Sequence, residues 1–347
     1  MTPVQTLNHL GQSIWLDNLS HHLIASGELA QHIAHGVTGL TSNPSIFAQA
    51  FAQEPYYAEA KQRLTQTSPE TRYEALVLAD VQAACDAFLP IYQDSQGQTG
   101  YVSLELSPTL AADEAGSVAA ARRLWAAVNR PNVMIKIPAT PAGIQAFETV
   151  TTEGINVNMT LIFSQKQTEA VWQAHVNGLT KRAAQGQVVD RVRAVASLFL
   201  SRVDVAVDAH LPPELHGKTA IAQASATYAQ FQTLYHGAAF AELAKLGAKP
   251  QSLLWASTAT KNPAFSDVLY VERLVGADTI NTLPNKTLAA FLDHGQAVAS
   301  LPHADAAAHL ASLASFGVDL PNICDRLLSE GLASFEAAFE QLMDFVR

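Results

Sequence analysis

Two kinds of segment alternate along the chain. Eight short runs, "SIWLD", "GVTGL", "YVSLEL", "NVMIKI", "INVNMTLIF", "VRAVASLFL", "SLLWAS" and "DTINTL", are rich in β-branched and aliphatic residues and predict strands. Between them lie longer stretches such as "EAGSVAAARRLWAAVN" and "QKQTEAVWQAHVNGLTKRAAQ", whose apolar residues recur at helical spacing. Breakers fall at the joins: Pro131 separates a helix from a strand, and Gly247 followed by Pro250 closes another helix. Alternation of this kind implies parallel strands with crossover helices, and eight units predict an α/β fold of the (β/α)8, or TIM-barrel, type. The stretches 54–98 and 284–347 exceed what single crossovers need and are expected to add helices around the barrel. No linker, low-complexity tract or fixed-period repeat interrupts the chain, so residues 1–347 are expected to form a single domain.

Strand parity then separates the faces, because successive side chains point to opposite sides. Val133, Ile135 and Ile137 share one face, and Met134 and Lys136 the other. If the aliphatic face packs on helices, Lys136 faces the barrel interior. By the same rule Asn156, Asn158 and Thr160 oppose Ile155, Val157, Met159 and Leu161, while Ser103 and Glu105 oppose Val102, Leu104 and Leu106. Asp17 opposes Ile14 and Leu16 where its strand gives way to a loop. A barrel interior filled only for stability holds mainly branched aliphatics, so acids, amides, a hydroxyl and a lysine near strand C-terminal ends mark an active site. Each residue also has a purely structural reading. Lys136 could snorkel from an edge, Glu105 could merely neutralise it, and Asp17 could cap the helix beginning near "NLSHHLI". Asn158 and Thr160 could satisfy buried backbone, and "TSNPS" could be only a turn that starts a helix after Pro44.

Composition narrows the partners. Nearly half of the residues are apolar, as in a folded globular protein, and the net charge of −10 comes with no lysine or arginine block. Neither nucleic acid nor an anionic membrane surface is an expected partner. Cys85 and Cys324 are too few for a disulfide framework and lack metal-ligand spacing, which fits a reducing compartment. The start has no basic segment leading into an apolar core, and no apolar run is seen to approach the roughly 20 residues of a membrane span, so a cytoplasmic location is expected. His32 and His35 stand three apart but without HExxH or a companion cluster, and GxGxxG, GxxxxGK[ST] and GxSxG motifs are absent.

The stretches "SIWLDNLS", "GVTGLTSNPSIF", "VSLELSP", "MIKIPAT", "EGINVNMTLIFS", "VASLFLSRVD" and "LLWASTATKN" together resemble the transaldolase family over nearly the whole chain, and "TINTLPNKTL" is similar to its longer bacterial type. The resemblance implies a class I Schiff-base transferase of the pentose phosphate shunt, without metal or organic cofactor. It would move a dihydroxyacetone unit from sedoheptulose 7-phosphate or fructose 6-phosphate to glyceraldehyde 3-phosphate or erythrose 4-phosphate. Its partners would be these sugar phosphates, and the chain would act as a monomer or homodimer. Lys136 matches the imine-forming lysine, whose free amine a poorly hydrated interior would favour. Asp17 would take the C4 hydroxyl proton, and Glu105 would act through a water held by Thr160. Asn43 and Asn158 would bind the sugar, Ser197 matches a further site position, and Arg202 would bind phosphate. Lys261 stands near where many members carry a second phosphate-binding arginine, and Ser42 replaces a usual threonine. Phe199 stands where the related fructose 6-phosphate aldolases, which are shorter chains, resemble this sequence with a tyrosine.

Overall fold

The computed structural model of the chain describes residues 1–65 and 68–347; residues 66 and 67, inside the predicted extra-helix stretch 54–98, lie outside the described residues. All eight predicted runs contain strands: β1 (Gln12–Asp17), β2 (Gly39–Thr41), β3 (Tyr101–Glu105), β4 (Val133–Pro138), β5 (Val157–Ile162), β6 (Ala194–Phe199), β7 (Ser252–Ala256) and β8 (Thr279–Leu283). They pair in parallel in sequence order and close into a barrel through β8 and β1. This is the predicted (β/α)8 architecture.

β2 departs most from its predicted run. "GVTGL" begins with Gly36 at φ +108, and pairing starts only at Gly39. There the indole of Trp15 passes so close that a Cβ on residue 39 would lie 2.5 Å from its Nε1, so only glycine admits the ring. β5 carries an irregularity: its register against β6 shifts between Met159 and Ile162, and Leu161 takes a left-handed φ of +55. Such bulges re-aim the side chains at a barrel rim.

The helices Glu114–Val128 and Gln165–Ala184 match the predicted amphipathic stretches. The extra stretches hold Pro55–Gln62 and Pro69–Asp94, then Asn285–His294, Ala306–Ser312 and Leu320–Val346. Helix Pro69–Asp94 corrects one expectation, because it is long and apolar enough to cross a bilayer. Its apolar face, including Tyr73, Val77, Val81 and Phe88, is buried, and the helix packs on β3 and on the C-terminal helix. Helix Leu320–Val346 touches helices Pro44–Gln53, Pro69–Asp94 and Ser201–Asp208 and the strand β5, which brings it to the rim where the strands end. The buried apolar side chains form one connected core. Cys85 and Cys324 are both buried and unpaired.

Candidate active site

Register does the first part of the assembly. Glu105 pairs with Lys136 across β3 and β4, Lys136 with Asn158 across β4 and β5, and Asp17 with Thr41 across β1 and β2. Because parity sends these side chains inward, the barrel gathers groups that lie far apart in the sequence. Lys136 is 5% exposed, and its Nζ donates to the Ser42 carbonyl at 3.0 Å and to Glu105 Oε2 at 3.1 Å. A buried ammonium or amine with only two partners keeps capacity for a third contact. Phe335, from the C-terminal helix, places its ring centroid 6.0 Å from the same Nζ.

Asp17 accepts a hydrogen bond from Thr41 Oγ1 at 2.7 Å, and the Thr282 hydroxyl lies 2.7 Å from that Thr41 oxygen. The capping role belongs instead to Ser20, whose Oγ accepts from Leu23 N in the helix His21–Ala25. Burial raises the Asp17 carboxyl above its usual range, and the charge of Lys136 and the Thr41 bond only partly oppose this. Burial raises Glu105 as well, against the pull of Lys136, with the neighbouring Asp17 adding to the rise. Two acids of unequal setting beside one lysine can hold and release protons in separate steps.

A cavity of about 150 Å3 opens among these ends and is lined by Asp17, Asn43, Lys136, Thr160, Ser197 and Arg202. Phe199, Ser257 and Phe335 also line it. Asp17 also faces an adjoining cavity of about 490 Å3 bounded by residues 18–28, 46–54 and 284–287, so the site has more room than its narrow centre. Thr160 is fully buried and its Oγ1 has no hydrogen-bond partner among the described residues. Asn43 caps the helix Pro44–Gln53, its Oδ1 accepting from Ile46 N at 3.0 Å, which leaves its amide NH2 for other work. Arg202 enters helix Ser201–Asp208 with its guanidinium 5.5 Å from the Phe199 ring centroid. It makes no hydrogen bond or ion pair with a described residue, and burial lowers its pKa while Glu330 opposes the shift.

Two of the expected residues, Asn158 and Lys261, stand outside the cavity lining. Asn158 lies in the layer beneath the cavity, where its amide donates to Ser103 Oγ at 3.0 Å and its Oδ1 accepts from Ser197 Oγ at 2.7 Å. Those bonds orient Ser197, and Asn158 stands outside the cavity lining while its amide keeps a second N–H. Lys261 is exposed and also absent from the lining. The chain turns at Ser257, which has φ +55, and Thr258 ties back to the Thr282 carbonyl at 2.7 Å, so Ser257 faces the cavity while Lys261 sits further along the loop. Ser257 Oγ lies 2.9 Å from Ser201 Oγ, beside Arg202.

Sequence reasoning missed Thr41, Ser257 and Phe335. Thr41 was within reach of the parity argument, since it lies two residues from Gly39 on the face that meets Trp15. Phe335 had no local signal, because only tertiary packing of a helix near the C-terminus brings it over Lys136.

Fold and site define a (β/α)8-barrel protein whose inward lysine, paired with one carboxylate and near a second, opens on a small polar cavity that also holds an arginine. The family model described as transaldolase/fructose-6-phosphate aldolase matches residues 14–346. The chain is 52% identical to a transaldolase of Thiobacillus denitrificans, covering 99% of both chains. It is 50% identical to a transaldolase of Neisseria gonorrhoeae with 99% of each covered, and 41% identical to one of Thermobifida fusca over 99% of this chain and 97% of that relative. The chain belongs to the transaldolase/fructose-6-phosphate aldolase family.

Proposed function

We propose that this chain works as a transaldolase, carrying a three-carbon dihydroxyacetone unit on Lys136 between phosphorylated sugars. The observation that carries this reading is the buried Lys136 amine, 3.1 Å from Glu105 and open to a cavity that also holds Asp17 and Arg202. The shared name of the full-length relatives supports the same activity.

In this reading the neutral Lys136 amine attacks the C2 ketone of fructose 6-phosphate or sedoheptulose 7-phosphate. Glu105 supplies a proton to the departing C2 hydroxyl through a water held by the unpartnered Thr160 Oγ1, and the carbinolamine becomes an iminium. Asp17 takes the proton of the C4 hydroxyl, the C3–C4 bond breaks, and its electron pair passes into the iminium to give an enamine. The aldose phosphate leaves, and an incoming aldehyde accepts the enamine carbon as the steps reverse. Arg202, which makes no hydrogen bond or ion pair with a described residue, holds the phosphate beside Ser257. Asn43 and Ser197 contact the sugar hydroxyls, with Asn158 fixing Ser197 from below.

Phe199 favours transfer over free aldol cleavage. It places a hydrocarbon ring in the cavity lining, where a tyrosine hydroxyl would help water protonate the enamine. Activity on phosphorylated metabolites supports a cytoplasmic location. The test is release of glyceraldehyde 3-phosphate from fructose 6-phosphate with and without erythrose 4-phosphate. Sustained turnover is expected only with the acceptor, and equal turnover without it would replace this reading with an aldolase.

A further inference from the structure

We infer that the opposite, N-terminal end of the barrel carries a second binding site, for a small phosphorylated polyol. A cavity of about 460 Å3 opens there, and it shares no lining residue with the catalytic cavity. Its inner wall is the barrel floor: Trp15, Tyr101 and Met134 face it from the strands that carry Asp17, Glu105 and Lys136 at their other ends. Its volume lies within the usual range for small-molecule sites.

The chemistry of the lining points to an anion. Arg193 is 9% exposed and lines the cavity, yet it forms no ion pair with a carboxylate among the described residues. Its Nε donates to the Gly97 carbonyl at 2.9 Å, and its Nη1 donates to the carbonyls of Asp190 and Val192. Nη2 makes no hydrogen bond with a described residue. A desolvated guanidinium with an unmet charge is costly, and its planar fork suits the oxygens of a phosphate. The Gly97 carbonyl also accepts from the Tyr101 hydroxyl at 2.7 Å, so the arginine is held in place by its surroundings.

Lys249 brings a second positive charge to the same cavity without an ion-pair partner among the described residues. Asp278, the carboxylate in the lining, lies 3.3 Å from His236 Nε2. Two cations against one acid stand out on a chain of net charge −10. The hydroxyls of Ser13 and Ser252 also line the cavity and make no hydrogen bond with a described residue, which provides for the polyol part.

The test is isothermal titration calorimetry of the full chain with glycerol 3-phosphate and, separately, with inorganic phosphate. Arg193 anchors three carbonyls, so its removal risks misfolding, and the exposed Lys249→Glu and the rim substitution Ser252→Asp serve instead. Glycerol 3-phosphate is expected to show two classes of site, one surviving in Arg202→Gln. Lys249→Glu and Ser252→Asp are each expected to weaken that surviving class at least about tenfold while sugar transfer continues. A single class that vanishes in Arg202→Gln overturns the inference, as does a second class that both lower-cavity variants leave unchanged, or no binding up to about 10 mM. The polyol part predicts tighter binding of glycerol 3-phosphate than of inorganic phosphate at the lower site, and equal affinity would overturn that part.

Discussion

Asp80, in the middle of helix Pro69–Asp94, offers a stability test that rests chiefly on burial. It is 2% exposed, accepts a hydrogen bond from the Tyr57 hydroxyl at 2.6 Å, and has His21 Nδ1 3.9 Å away. Burial is the largest influence on its carboxyl; the Tyr57 bond opposes it and Glu54 adds to it, and together they raise the pKa from 3.8 to about 7. The folded chain therefore keeps a proton that the unfolded chain releases over this interval. The Asp80 contribution to stability is fully present below about pH 4 and is lost as pH rises through about 7, since over that interval the folded state binds more protons. At about 1.4 kcal/mol per pH unit the full loss is about 4 kcal/mol, of which about 3 kcal/mol falls between pH 5 and pH 8. Asp80→Asn keeps an acceptor for Tyr57 but cannot ionise, so it should lose about 3 kcal/mol less than the parent over that window. Urea unfolding followed by tryptophan fluorescence at both pH values gives the double difference, in which titrations common to the two proteins cancel. Parallel pH dependences in parent and variant would refute the reasoning.

Three further outcomes follow from the site and the barrel. Arg202→Gln, which removes a charged partner for phosphate, should lower kcat/KM for a phosphorylated donor roughly tenfold to a hundredfold in steady-state assays. It should change little for an unphosphorylated ketose. Since burial raises Asp17, the acidic limb of kcat/KM should lie above the ordinary carboxylate range, with activity falling as pH drops and Asp17 becomes protonated. Asp17→Asn should cost at least about a hundredfold and abolish that limb in a pH–rate profile. Gly39→Ala would put a methyl 2.5 Å from the Trp15 indole and should destabilise the chain by about 1–3 kcal/mol, read as a lower melting temperature.

The barrel was readable because short β-rich runs alternate with helical stretches, and four strands, β1, β3, β4 and β5, set an aliphatic face against polar residues. That signal also oriented Lys136, Glu105 and Asp17 inward, and the register then brought Glu105 opposite Lys136. What parity cannot supply is depth along the barrel axis. Asn158 and Thr160 share a face, but the hydroxyl lines the cavity while the amide is committed one layer below. Loops are less legible still. The turn at Ser257 puts that serine in the cavity lining and leaves Lys261 further along the loop, and nothing local distinguishes the two without the backbone path. Phe335 depends on how a 27-residue helix crosses the rim, which is decided by packing against elements nearly 300 residues earlier in the chain.

The central claim is that Lys136 forms the covalent link to the donor. The most direct measurement is to add fructose 6-phosphate, reduce with borohydride, and map the modified peptide by mass spectrometry. The account predicts a reduced three-carbon adduct on Lys136, abolished in Lys136→Arg. Turnover without any adduct, or an adduct confined to another lysine, would contradict it.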